Sequence, residues 1–347
     1  VAMGYATNTI SIGDGTYTES VVYTGNNCTF TSTSQDRTKV IITQSSEPTF
    51  KLNEDSTGNV FKHLTIQNTS TSQNDSGIWG GADSGDDWAS YTVEDCIFDC
   101  ALEAIRFAHA CTIKRTKFLI NSATNGSSVY GIRSGTAASG EVFTIEACLF
   151  VGWDKWAVNG SGGYMVMRNC TLVLDASSQS TSYLLYWSGT NNQVYNTIFY
   201  GGATSVDYGL RFQSANSSHT AKNCIAFGAL RIPYNGTGSP TVTSQLETNT
   251  EVVADGNNIF TSIGSAGISD DYTIDADGLA RSRGLAAELG SDGKDVDGND
   301  FDSSNPNIGC YATVASGYTH SVSGVATANL ESMNGVAKAD MSNCNGA

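Results

Sequence analysis

Six short segments share one pattern: Gly77-Ile78-Trp79, Ala104-Ile105-Arg106, Gly131-Ile132-Arg133, Ala157-Val158-Asn159, Leu184-Leu185-Tyr186 and Gly209-Leu210-Arg211. Their central apolar residues lie 27, 27, 26, 27 and 25 positions apart. If Ile105, Ile132, Val158 and Leu210 point inward, Arg106, Arg133, Asn159 and Arg211 point outward on one strip, with Trp79 one repeat earlier. Cations beside aromatic rings suit an acidic glycan. Trp153-Asp154-Lys155-Trp156 and Tyr183-Leu184-Leu185-Tyr186-Trp187 add rings for stacking on sugars, so Trp79, Trp153, Trp156, Trp187, Arg106, Arg133 and Arg211 form the expected ligand-binding set. The competing reading is structural: Arg106 and Arg133 pair with acids such as Glu103 or Asp154, and the aromatics fill loops or core.

Other chemistries have less to build on. Polysaccharide hydrolysis needs a general acid with a second carboxylate, and elimination needs a base beside a carbonyl. Asp83, Asp86 and Asp87, and the run from Asp292 to Asp302, are oxygen-rich enough to consider Ca²⁺, with Asp295, Asp297 and Asp302 as its candidate ligands. Counted from Asp295, the sixth and twelfth places hold Asp300 and Pro306, where an EF-hand loop needs Gly and Glu. His63, His109, His219 and His320 are scattered, and the sequence has no GxSxG elbow, phosphate loop or dinucleotide fingerprint. Apart from Ca²⁺, no cofactor is expected.

Composition narrows the class. Lys and Arg number 18 against 34 Asp and Glu, a formal charge of −16, which disfavours nucleic acid and anionic lipid as partners. With 39 % apolar and 10 % aromatic residues the chain folds. No apolar run approaches the ~18 residues of a membrane span, and the start at Val1 carries no signal-peptide pattern and is read as a processed or fragment end. The nine cysteines form no zinc pattern, and their spacing favours buried thiols over disulfides, pointing to completion in a reducing compartment.

The elements that must carry the strip emerge from a second register. Residues 61–66, 93–98, 113–118, 145–150, 167–172, 194–199 and 221–226 align as six-residue segments at an average step near 27. Position one is apolar, position four reads Leu64, Cys96, Thr116, Cys148, Cys170, Thr197, Cys224, and position six reads Ile66, Phe98, Phe118, Phe150, Leu172, Phe199, Ala226. Positions four and six alternate as a strand does, but position one is out of phase, so a bend is required at position three. There stand His63, Asp95, Arg115, Ala147, Asn169, Asn196 and Asn223; the Asn and Asp residues tolerate the left-handed backbone of a tight corner. Asn169, Asn196 and Asn223 are expected to stack as a hydrogen-bonded side-chain ladder. Two registers at one period, with linkers rich in Gly, Ser, Thr and Asn, make this an all-β parallel β-helix with coils of about 27 residues.

On the Arg168-Asn169-Cys170-Thr171-Leu172 corner, the Gly13-Asp14-Gly15-Thr16-Tyr17 opening and the Asp295-Val296-Asp297-Gly298 and Asn307-Ile308-Gly309-Cys310-Tyr311 closing runs, the chain resembles the right-handed, pectate-lyase-like β-helix superfamily. The resemblance covers residues 9–313. It implies a right-handed solenoid, and because β-helix lyases use Arg or Lys as base beside calcium-binding Asp residues, the resemblance makes Arg133 and Lys155 candidates for that role; Arg106 and Asp154 complete the set of catalytic candidates. No Asp column flanks them.

Residues 1–313 are read as the β-helix, with irregular closing coils from 253, and 314–347 as a tail. In the tail Gly324, Gly335 and Gly346 recur every 11 residues, resembling NGVA-type arrays of tailed-phage structural proteins. The tail is expected to contact other structural subunits, in a homotrimer. The leading expectation is therefore a non-enzymatic virion structural or surface-appendage protein, on a virion surface or extracellular, binding polysaccharide along one face. The alternative is a polysaccharide-degrading lyase or hydrolase of tailspike or secreted type.

Overall fold

The computed structural model describes residues 8–53, 56–72, 75–81, 89–120, 129–153, 156–174, 183–201, 208–212, 219–227, 234–235, 251–253, 259–262, 271–275, 278–312, 332–333 and 336–337. Apart from the antiparallel pairs Phe260–Ser262 with Asp271–Ile274 and Ser332–Met333 with Val336–Ala337, its strands stack in parallel, rung on rung, into a right-handed β-helix with three faces. The first face runs through Asn8–Ile12, Cys28–Ser32, Asn59–Lys62, Tyr91–Glu94, Thr112–Lys114, residues 142–146 and 164–168, Gln193–Tyr195 and Thr220–Lys222. The second runs from Gly15–Thr18 through Val40–Gln44, Thr65–Asn68, Ile97–Cys100, Lys117–Ile120, Leu149–Trp153, Thr171–Leu174, Ile198–Tyr200 and Ile225–Phe227 to Glu251–Val253. The third runs from Val21–Tyr23 through Phe50–Leu52, Ser76–Trp79, Glu103–Ala108, residues 130–134 and 156–160, Tyr183–Trp187 and Tyr208–Phe212 to Tyr234–Asn235.

The bend between the first and second faces falls at position three. His63, Asp95, Arg115, Ala147, Asn169, Asn196 and Asn223 all have φ between 45° and 56°. The residue after each corner points into the core, and in six of the seven corners it is a short donor that adds a second hydrogen bond to a carbonyl already accepting the corner amide of the preceding rung. Cys96, Cys148, Cys170 and Cys224 place Sγ 3.2–3.4 Å from the carbonyl two residues earlier, and Thr116 and Thr197 donate to the equivalent carbonyl at 2.8 and 2.9 Å. Cys and Thr alternate here because both are short donors. All eight described cysteines are free and buried.

Position six builds an aromatic column. Phe98, Phe118 and Phe150 pair rung to rung, with centroids 5.0 and 4.5 Å apart and rings parallel within 7°. Leu172, Phe199 and Ala226 continue it.

Residues 278–312 form a strap along this corner. Asn223 Nδ2 donates to the Arg283 carbonyl, Asn196 exchanges two bonds with the backbone of Leu285 at 2.7 and 3.1 Å, and Asn169 Nδ2 donates to the Asn307 carbonyl. This corrects the expected asparagine ladder. The three amides do not bond one another, because the strap offers each a backbone partner. Gly309, at φ 99°, lets the strap approach closely; a Cβ there would sit 2.6 Å from Ile198 Cδ1. Farther along, Arg115 pairs with Asp292, Glu94 and Asp95, and Asp297 with Arg37 and Lys117. Burial alone would raise Glu94 and Asp95, but hydrogen bonds and charge from Lys62 and Arg115 outweigh it and hold both carboxyls below their usual values.

Residues 313–347 form a unit distinct from 1–312. Of that tail the described part is Ser332–Met333 paired antiparallel with Val336–Ala337. No helix among the described residues is long and apolar enough to cross a membrane.

Candidate functional site

Strict alternation fails on the third face, and that failure creates the surface. Ala104 and Ile105 are both buried in the core, as are Ala157 with Val158 and Leu184 with Leu185. Two consecutive inward residues leave the flanking positions on the outside, so each rung presents two outer residues three apart. One row reads Lys51, Trp79, Arg106, Arg133, Asn159, Tyr186, Arg211, each in register with the next. The parallel row reads Ser76, Glu103, Tyr130, Trp156, Tyr183. At about 4.8 Å per rung, Arg106 to Arg211 spans roughly 19 Å.

The two rows interlock. Tyr130 stacks on Trp156 at 4.8 Å and 5°. The Arg106 guanidinium and the Lys51 ammonium lie 5.4 and 5.3 Å from the Trp79 ring centroid, Arg133 lies 5.1 Å from Tyr130, and Arg211 lies 4.8 and 5.3 Å from Tyr183 and Tyr186. Rings hold the guanidinium planes against this face. Trp79 and Arg106 are buried beside the rung, whereas the Arg133 side chain is 37 % exposed and Trp156, Tyr183, Tyr186 and Arg211 are half-buried.

One acid sits among these cations. Glu103 is 1 % exposed; its Oε2 lies 3.3 Å from Arg106 Nη1 and its Oε1 3.6 Å from Arg133 Nη1. Burial pushes its carboxyl up to about 7, against the opposing pull of the two arginines. The structural pairing of both arginines with Glu103 is thus present within the same strip that was read as a binding surface.

The structure gathers Trp79, Arg106, Arg133, Trp156 and Arg211 on one face and separates the other candidates from it. Trp187 is fully buried, with its indole N–H on the Gly162 carbonyl at 3.0 Å, so it belongs to the core. Trp153 ends a second-face strand. Asp154, Lys155, Asp83, Asp86 and Asp87 lie outside the described residues. Asp295 is fully buried and accepts the amides of Asp297, Asn299 and Ala312, which makes it the organiser of a turn. Asp302 accepts the amides of Ser304 and Asn305, and Asp297 pairs with Arg37 and Lys117. Among the described residues no three His, Cys, Asp or Glu side chains gather as metal ligands. A separate cleft of about 340 Å³, lined by Gln35, Asp36, Arg37, His63, Asp95 and Asp297, opens beside the strap.

Sequence reasoning named Glu103 as a partner of the arginines and Trp156 and Tyr183 as stacking rings, but it missed Lys51, Tyr130 and the register that aligns Glu103, Tyr130, Trp156 and Tyr183 in one row. A signal existed: Glu103, Tyr130, Trp156, Tyr183 and Tyr208 each stand three residues before a member of the arginine row.

No protein-family model matches this chain, and no curated protein matches it. Among solved structures it is similar to a pectin methylesterase from Yersinia enterocolitica, at TM-score 0.41 and 14 % identity over 76 % of this chain and 88 % of that one. It is similar to a PL6 family alginate lyase at TM-score 0.39 and 15 % identity, over 80 % of this chain and 40 % of that one. A third similarity is to the rice weevil pectin methyl esterase, at TM-score 0.30 and 12 % identity, over 70 % and 81 %.

Proposed function

We propose that the protein recognises an acidic polysaccharide laid lengthwise along the third face. The observation that carries this reading is a local reversal of charge. On a chain of formal charge −16, the described third-face strands carry Lys51, Arg106, Arg133 and Arg211 against the single carboxylate Glu103. Those cations alternate with rings at rung spacing, so a polymer would meet charge and stacking surface at successive steps.

The test is retention of a panel of acidic and neutral polysaccharides by the wild-type protein and by Arg106→Ala/Arg133→Ala, with circular dichroism as the fold control. Retention of acidic members, lost in the folded double variant, is the expected result. Equal retention by the double variant, or none by the wild type, overturns the reading.

Cleavage of the bound chain is a second reading, favoured by a carboxyl at about 7 between two arginines. New reducing ends and falling chain length on the same panel decide it. A hydrolase of the usual kind needs a second carboxylate about 5–9.5 Å from the first, and the described third-face strands hold Glu103 alone. The structural or appendage role and subunit assembly through residues 314–347 remain a proposal resting on the 11-residue glycine spacing. Its test is the oligomeric state with and without those residues. The virion placement has no support from the fold.

A further inference from the structure

We propose that Glu103 is a positioning residue that occupies Arg106 and Arg133 in place of a ligand carboxylate, and that an acidic glycan binding there drives one proton onto it. This rests on the glycan-binding reading of the third face.

Glu103 is 1 % exposed and offers one oxygen to each guanidinium, whereas the Arg133 side chain is 37 % exposed. Arg133 therefore meets Glu103 through one nitrogen while more than a third of its side-chain surface stays in contact with solvent. Both guanidiniums also rest on rings, Trp79 and Tyr130, which limits their freedom to swing away from the buried acid. A ligand carboxylate on that exposed surface places two anions on one guanidinium. Two carboxylates on one guanidinium both stay ionised where water reaches them, as Glu94 and Asp95 do on Arg115; Glu103 is cut off from water, so there a second anion favours its protonated form.

Among the described residues, the charged groups facing Glu103 are Arg106 from its own strand and Arg133 from the next rung; its register neighbours on the adjacent rungs are the neutral Ser76 and Tyr130. The burial that lifts its carboxyl to about 7 means that both protonation states are accessible around neutrality, so proton uptake needs only a modest push. A uronate ligand stays ionised throughout this range. Its affinity should fall as pH rises above about 7, by up to about tenfold per pH unit when one proton is coupled to binding.

The experiment is isothermal calorimetry with a short oligouronate between pH 5.5 and 8.5, repeated in buffers of different ionisation enthalpy, on the full chain and on Glu103→Gln. The wild type is expected to take up about half a proton per site at pH 7, rising toward one near pH 8, and to bind more weakly at pH 8.5 than at pH 6. Glu103→Gln keeps the shape without the charge; it should take up none, bind independently of pH, and bind more tightly than wild type at pH 8.5. A purely structural role for Glu103 would weaken the variant at every pH and leave no proton signal. Wild-type binding without proton uptake, a measurement that needs no variant, overturns this inference and leaves glycan recognition standing. Absence of oligouronate binding at every pH, in wild type and variant alike, overturns both.

Discussion

At the residue scale, the corner residues show how one backbone requirement selects several side chains. Asn196 holds φ 48° and exchanges two hydrogen bonds with Leu285, so Asn196→Ala removes both and leaves a Cβ residue in the left-handed region. A loss of about 2–3 kcal/mol in denaturant unfolding is expected. The position-four donors make a milder prediction. Cys96→Thr should stay close to wild type, because Thr116 and Thr197 already occupy that place, whereas Cys96→Val loses the donor and should cost about 1 kcal/mol. Burial pushes the Cys96 and Cys224 thiols up to about 12, so neither should react with a thiol reagent in the native protein at pH 8.

Glu103 has the opposite linkage from an ordinary salt-bridged carboxylate. Its folded value, about 7, lies above its usual 4.5, so the folded state binds the proton more tightly and stability falls as pH rises between those values. Glu103→Gln should remove that slope, which is on the order of 3 kcal/mol in total. Unfolding curves at pH 5 and pH 8 for the two proteins measure it.

At the element scale, the strap is held by two kinds of contact with different pH behaviour. Arg115 with Asp292, Glu94 and Asp95, and Asp297 with Arg37 and Lys117, depend on ionised carboxylates. Glu94 and Asp95 have lowered folded values, so their contribution is complete above about pH 4.5 and is lost as pH falls through those lowered values. The amides of Asn169, Asn196 and Asn223 do not titrate. Hydrogen exchange from pH 5 down to pH 3 should therefore open residues 292–299 first, while the amides of Leu285, Ile308 and Gly309 stay protected. Uniform opening of the whole strap would contradict that division. Within the third face, Gly160 lies against the Trp187 ring, where a Cβ would come within 2.3 Å, so Gly160→Val should displace the indole and cost several kcal/mol, read as the loss of its buried fluorescence.

At the scale of the whole molecule, the solenoid turns a repeat in sequence into a line in space. An acidic chain attracted to a cationic strip on an otherwise acidic body should bind with marked salt dependence, weakening several-fold between 50 and 300 mM salt as the Debye length shrinks. A salt-insensitive interaction would point instead to stacking as the main contribution.

Much of this line is legible in the sequence alone. The 27-residue period, the apolar, Cys/Thr and Phe columns and the bend at His63 through Asn223 followed from spacing, because in a stacked coil every inward residue has a partner one repeat away and any slip would expose it. The arginine strip was legible for the same reason. Long-range contacts were not. The strap that captures Asn169, Asn196 and Asn223 lies 60 to 138 residues away in the chain, and a docked segment leaves no period to read. Nor does local spacing show that Ala104 and Ile105 both turn inward, which puts Glu103 on the outer face against Arg106 and Arg133, or that Trp187 is swallowed by the core. Periodicity records what repeats. The charge state of Glu103 depends on the single environment that burial and two arginines create around it, and only the folded structure assembles that environment.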